Sequence, residues 1–143
     1  MANLTADLQL DFRGEIRIQK LPMLTNIKIF KGALVVYDAA GFAANGSDIA
    51  GVKFAGIANE TVDNTGGASG AKSIEVANGE YKLTGSSLEQ ADAGRLVYIG
   101  ADNQTVTDGT GATNDIPVGT LIEFLSATSG WVNTLAIPGV AST

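Results

Sequence analysis

The chain has 143 residues, a net charge of −6 and a hydrophobic fraction of 45%, and it contains neither cysteine nor histidine. These values predict one folded domain over residues 1–143, because the chain is too apolar and too weakly charged to be a disordered segment. They exclude disulfides, thiolate zinc ligands, a cysteine nucleophile and a Ser-His-Asp triad. The acidic balance also argues against binding to nucleic acid or to an anionic membrane surface.

The first twelve residues place apolar side chains at even positions, at Leu4, Leu8, Leu10 and Phe12. This spacing predicts an N-terminal arm, over about residues 1–11, that pairs along a sheet edge of its own chain or of a neighbour. The same residues lack the charged and apolar regions of a signal peptide, so we expect synthesis in the cytoplasm.

The eighteen glycines divide the rest of the chain into short apolar runs, a pattern typical of all-β domains. We predict a single small antiparallel β-barrel or a jelly-roll-like sandwich. Residues 15–19 alternate polar and apolar side chains, which predicts one wet and one buried face, whereas the dense run 33–37 predicts burial on both faces. The predicted strands cover residues 12–19, 33–38, 53–59, 73–76, 81–83, 96–99, 105–106, 118–124 and 131–135.

Three dipeptides predict tight turns between these strands, namely Asn-Gly at residues 45–46 and 78–79 and Asp-Gly at residues 108–109. Two overlapping capping boxes, from Ser86 and Ser87 to Glu89 and Gln90, predict one short helical turn near residues 87–93. Residues 138–143 are small and predict a short flexible tail.

The segment at residues 63–70 is rich in glycine, as phosphate-binding loops are. It lacks the Lys-Ser or Lys-Thr pair of such loops, and a strand rather than a helix follows it. We therefore predict a flexible hairpin loop that contacts a neighbouring protein, with Asp63, Asn64 and Thr65 as contact residues.

The remaining polar residues predict no catalytic, cofactor or metal site. The set Asp102, Asn103, Asp108 and Asp115 does not have the spacing of a calcium loop. Nothing in the spacing of Glu75, Glu80, Glu89 and Glu123 indicates a converging carboxylate pair. We expect no enzyme activity, although mechanisms that use only carboxylates or a Ser-Lys pair stay open. Trp131, the single tryptophan, is expected to close one end of the core.

Three segments together resemble the capsid cement, or head decoration, proteins of tailed phages and prophages. The resemblance covers roughly residues 10–135, and its motifs are structural rather than catalytic. The segments are residues 30–35 with Asp38 and Gly41, residues 54–58 leading into residues 62–70, and residues 93–99 followed by residues 102–106.

The resemblance implies a virion structural protein on the outer capsid surface. Such a protein would join the shell during or after expansion, bridge neighbouring major capsid subunits as a homodimer or homotrimer, and help the shell resist genome pressure. It would be β-rich and made in the bacterial cytoplasm. Two alternatives stay open, another phage structural subunit of the tail tube or head completion, and a small carbohydrate-binding or adhesin-like β-sandwich.

Overall fold

The computed structural model describes residues 3–135, and the predicted tail at residues 138–143 lies outside them. The described residues form eleven strands and one 3-10 turn. The strands are β1 (Phe12–Pro22), β2 (Lys28–Ile29), β3 (Leu34–Tyr37), β4 (Ala43–Asn45), β5 (Lys53–Ala58), β6 (Val62–Asp63), β7 (Ser73–Ser86), β8 (Leu96–Ile99), β9 (Thr105–Thr107), β10 (Pro117–Ser126) and β11 (Ser129–Asn133). No helix within this part of the chain is long and apolar enough to cross a membrane.

The prediction of an all-β barrel is confirmed. Five strands close a barrel in the order β7, β11, β10, β8 and β9, and β9 pairs again with β7. The other barrel pairs are antiparallel, but β7 and β9 run parallel, so the predicted antiparallel arrangement is wrong for this one pair. Closure leaves these barrel strands paired on both sides over much of their length, which makes the barrel a rigid base for its surface.

Strand β7 is the longest strand of the described chain, and it joins the barrel to a second layer. Its first half pairs with β1 on one side and β5 on the other, and β3 and β4 extend the sheet beyond β5. Its second half pairs with β11 and β9. The separate predictions of strands at residues 73–76 and 81–83 are therefore corrected to one continuous strand.

Two hydrophobic cores lie on opposite faces of the β3, β5 and β7 sheet. On β3, Leu34 and Val36 face the barrel core, whereas Val35 faces the second core. All three are almost completely buried, which confirms the prediction of burial on both faces. The barrel core also contains Tyr81, Leu83, Val97, Ile99, Val106, Val118, Leu121 and Val132, and the second core contains Leu21, Met23, Ile29, Ile74 and Val76.

The junction between the halves of β7 is fixed by hydrogen bonds at Asn78 and Gly79. The Asn78 Nδ2 donates to the carbonyl of Ala55 at 2.9 Å, and the Thr134 hydroxyl donates to Asn78 Oδ1 at 2.9 Å. The backbone N–H of Gly79 donates to Thr134 Oγ1 at 3.0 Å. A Cβ at Gly79 would lie 2.9 Å from the Glu15 carbonyl oxygen, so β1 can cross here only over glycine.

The predicted turn at residues 78–79 is therefore wrong, because these residues lie inside a strand. The predicted helical turn is present as a 3-10 turn, Gln90–Asp92, within the expected range. Its cap differs from the predicted serine boxes, since the Asp92 carboxylate accepts the Glu89 N–H at 2.8 Å.

Strand β1 departs from the predicted pattern of one wet and one buried face. It pairs with β7 alone, and its pairing is interrupted between Arg13 and Arg17. Residues 17–20 are exposed, and Ile18 keeps 50% of its surface in solvent. Ile16 packs against the barrel core and Leu21 is buried in the second core, but the residues between them are exposed, so the alternation does not produce one continuous buried face.

We predict that Thr134→Val lowers the free energy of unfolding by about 1–3 kcal/mol, because it leaves the buried Gly79 N–H without its acceptor. Urea denaturation followed by the fluorescence of Trp131 measures the loss. Thr113→Val is the matched control, since Thr113 is exposed, and it should change stability by less than about 0.5 kcal/mol. Equal losses in both variants would show that the junction does not depend on this hydroxyl.

Candidate protein-interaction surface

The N-terminal arm packs against its own chain in the described structure. The Leu8 N–H donates to the carbonyl of Lys31 at 2.8 Å. A Cβ at Gly32 would collide with the Leu8 carbonyl, so glycine at position 32 gives the arm its path across the sheet. Of the two alternatives in the prediction, a sheet edge of its own chain or of a neighbour, the described contacts are with its own chain.

Both ends of the arm are also attached. The Leu4 N–H donates to Asn103 Oδ1 at 2.9 Å, and the Asn103 N–H donates to Asn3 Oδ1 at 3.0 Å. At the other end, the Lys82 N–H donates to the Asp11 carbonyl at 3.0 Å. The arm is thus joined to the β8–β9 connection, where Asn103 lies, and to β7.

The four predicted apolar contact residues do not share one environment. Leu4 packs against the second core, Leu10 packs against the barrel core, and Leu8 is partly buried. Phe12 is 51% exposed, and its ring lies 5.9 Å from the ring of Tyr81. Phe12 is therefore the member of this set most available to a partner.

The three predicted contact residues of the loop at residues 63–70 also differ in burial. Asn64 is buried, and its Nδ2 donates to the carbonyls of Leu24 and Ala68 at 2.9 and 3.1 Å. It therefore holds the loop closed from inside. Asp63 and Thr65 are exposed and are free to meet a neighbour.

Asp63 forms a local turn with Thr65. The Thr65 hydroxyl and backbone N–H both donate to Asp63 Oδ1. These hydrogen bonds, the hydroxyl first, lower the pKa of the Asp63 carboxyl below its ordinary value. The loop therefore presents a fixed negative charge at neutral pH.

Trp131 lies on the outer barrel surface, so the prediction that it closes the core is wrong. Its ring is partly exposed, and the Arg13 guanidinium stacks over it at 4.1 Å from the ring centre. Arg13 also forms ion pairs with Glu80 at 2.6 Å and Glu123 at 3.3 Å. The Arg13–Glu80 hydrogen bond raises the pKa of Arg13. This cluster joins β1, β7, β10 and β11 on one surface.

Exposed large apolar side chains are concentrated on two strands. Six such residues occur in the part of the chain that the structure describes. Phe12 and Ile18 lie on β1, and Ile122 and Leu125 lie on β10, with exposed fractions between 42% and 51%. The other two are Ile49 and Leu135. β1 and β10 are not paired with each other, since β1 pairs with β7 and β10 pairs with β8 and β11. Exposed apolar side chains of this size are typical of a protein-binding surface.

The depression beside β1 is too small for an ordinary ligand, whereas a larger one lies away from β1 and β10, at the turn between β3 and β4. The cleft between the arm and Tyr81 has a volume of about 90 Å³, below the roughly 300–1,000 Å³ of ordinary ligand sites. A wider depression of about 660 Å³ lies beside residues 37–41, bordered in addition by Gly51 and Lys53. Between residues 3 and 135, no three acidic side chains gather as a metal site would require.

We predict that Asn64→Ala lowers the free energy of unfolding by about 1–3 kcal/mol, because two carbonyls lose their buried donor. Thr65→Ala, on the exposed side of the same loop, should cost less than about 0.5 kcal/mol. Urea denaturation compares the two variants, and amide exchange over residues 63–70 locates the change. An unchanged exchange pattern in Asn64→Ala would contradict its role in closing the loop.

Comparison with protein-family models, curated proteins and solved structures found no significant match to this chain.

Proposed function

We propose that this chain is a non-enzymatic virion structural protein, which binds the outer surface of a tailed-phage capsid. There it bridges neighbouring major capsid subunits and stabilises the shell against genome pressure. The observation that carries the proposal is the concentration of exposed apolar side chains on β10 of the closed barrel and on β1 beside it. The resemblance of the three sequence segments to cement proteins supplies the capsid as the partner.

The binding energy of such a surface suits a protein that contacts several subunits weakly better than one that binds a single tight site. Covering a half-exposed Phe, Ile or Leu side chain contributes roughly 1 kcal/mol, so each contact is weak. Simultaneous contact with several shell subunits raises the effective affinity without any deep pocket. A homodimer or homotrimer of the chain would multiply these contacts again and would match the symmetry of a shell lattice.

The barrel supports this function because bridging requires a body that does not deform under load. β1 is paired with β7, and the hydrogen bonds at Asn78 and Gly79 join β7 to Ala55 of β5 and to Thr134, which follows β11. A force applied at β1 is therefore carried into β7 and the barrel strands rather than into a loop.

The carbohydrate-binding alternative requires aromatic rings that are open to a sugar. One face of the Trp131 ring is occupied by the Arg13 guanidinium, and Tyr81 is buried. This leaves Phe12 as the main exposed ring of the barrel and β1, which is a poor platform for stacking a sugar.

The test of the function is co-sedimentation with undecorated, expanded shells of the cognate phage. We expect saturable binding at a fixed ratio to the major capsid protein, counted by gel densitometry. Absence of binding by folded protein would overturn the proposal. Rings or tubes of the purified chain in electron micrographs would favour a tail-tube or head-completion subunit instead.

We further predict that Ile18→Ser combined with Ile122→Ser weakens shell binding by about tenfold or more, since two apolar contacts are lost. The matched control is Ile49→Ser combined with Leu135→Ser, which removes two equally exposed side chains from outside β1 and β10. The control should bind as the unchanged protein does. Equal loss in both double variants would place the contact elsewhere on the surface.

These point variants are preferable to deletion of the arm. Leu4 and Leu10 pack against the two cores, so a deletion would change stability together with binding.

A further inference from the structure

The outer edge of β1 is open over residues 17–22. β1 makes its extensive backbone contacts with β7 alone, and every second residue directs its backbone groups away from that partner. Pro22 has no N–H, so the N–H donors of this edge lie within residues 17–21. The side chains at residues 17–20 are exposed. An edge of this length can accept a further strand by backbone hydrogen bonding.

This edge is basic, although the chain as a whole is acidic. β1 carries three basic residues, Arg13, Arg17 and Lys20, and one acidic residue, Glu15, on a chain of net charge −6. Arg13 is paired with acidic residues, but Arg17 and Lys20 form no ion pair with any residue between 3 and 135.

The residue opposite Lys20 forms no ion pair with it. Glu75 is the Cα partner of Lys20 on β7. Its carboxylate accepts a hydrogen bond from the Asn59 side chain at 2.5 Å, and no ion pair joins it to Lys20 among residues 3–135. The Lys20 ammonium is therefore not held by a carboxylate in the described part of the chain.

We infer that the free edge of β1 binds an extended, acidic segment of a partner protein as an additional strand. Arg17 points to one face of the sheet, and Ile18 and Lys20 point to the other. The added strand would therefore carry acidic residues on both faces and an apolar residue opposite Ile18. Its backbone would satisfy the free N–H and C=O groups of β1.

A second copy of β1 is the less favourable occupant of this edge. Edge-to-edge pairing of two copies would place two β1 strands side by side, each with a net positive charge. Like charges across a strand pair are destabilising. An acidic strand would gain the attraction that a second copy lacks. The inference rests on the proposed function in one respect: if that function is correct, the acidic segment belongs to the major capsid protein.

The test uses two dye-labelled octapeptides, one with the repeated sequence Glu-Glu-Val-Thr and one with every Glu replaced by Lys. We expect fluorescence anisotropy to show the acidic peptide binding the unchanged protein about tenfold more tightly than the basic one. The variant Arg17→Glu with Lys20→Glu should reverse this preference. Amide exchange should slow at residues 17–22 on binding.

The matched control reverses one exposed arginine and one exposed lysine elsewhere, Arg95→Glu with Lys53→Glu. It should keep the preference for the acidic peptide. Equal binding of both peptides, or a reversed preference in the control, would overturn the inference. So would a dimer in sedimentation whose formation slows amide exchange at residues 17–22, because a second copy would then occupy the edge.

The same variants separate this inference from the proposed function. If shells bind the unchanged protein and the Arg17 and Lys20 reversal equally, the edge is not the docking site and the capsid function stands. If the acidic peptide binds at residues 17–22 but shells do not bind, the edge recognition stands and the capsid function fails.

Discussion

Strand β7 contributes side chains to both hydrophobic cores, so the position of every neighbouring strand is set relative to it. The first half of the strand packs against the second core, and the second half closes the barrel. The strand changes its neighbours around Asn78 and Gly79, where a side-chain amide and a hydroxyl replace part of the regular ladder. Burial makes these hydrogen bonds costly to lose, so the two layers keep one relative position.

The sequence predicted the all-β class and most strands, because apolar runs and turn residues are local signals. It misplaced a turn because a glycine that follows Asn or Asp occurs in more than one backbone conformation. Gly109 has φ +111°, as a turn requires, whereas Gly79 lies outside the left-handed region. Glycine is needed at position 79 for the close passage of β1, and a crossing strand more than sixty residues away leaves no local signal. The parallel pairing of β7 with β9 was missed for the same reason.

The candidate surface was predicted less completely than the fold. Alternating leucines identified an arm, but only three-dimensional packing separates the partly buried Leu4 and Leu10 from the exposed Phe12. Trp131 was assigned to the core from its residue type. On the surface, the Trp131 ring stacks against the guanidinium of Arg13, which is 118 positions earlier in the chain. Contacts of this kind depend on strand register, which a single sequence does not specify.

The β1 edge of the sheet combines an open strand with the charges of the inferred binding site. The five barrel strands pair with one another, and within the described residues β1 is left beside the barrel with β7 as its strand partner. Ile16 and Leu21 pack against the two cores, but Arg17, Ile18 and Lys20 are exposed and contribute little to folding. An open strand edge ordinarily favours aggregation, because it can pair with the same edge of another copy. The positive charges of Arg17 and Lys20 oppose this pairing between identical edges. In the inferred interaction the same charges attract an acidic strand, so a single feature disfavours the pairing of two β1 edges and selects a partner.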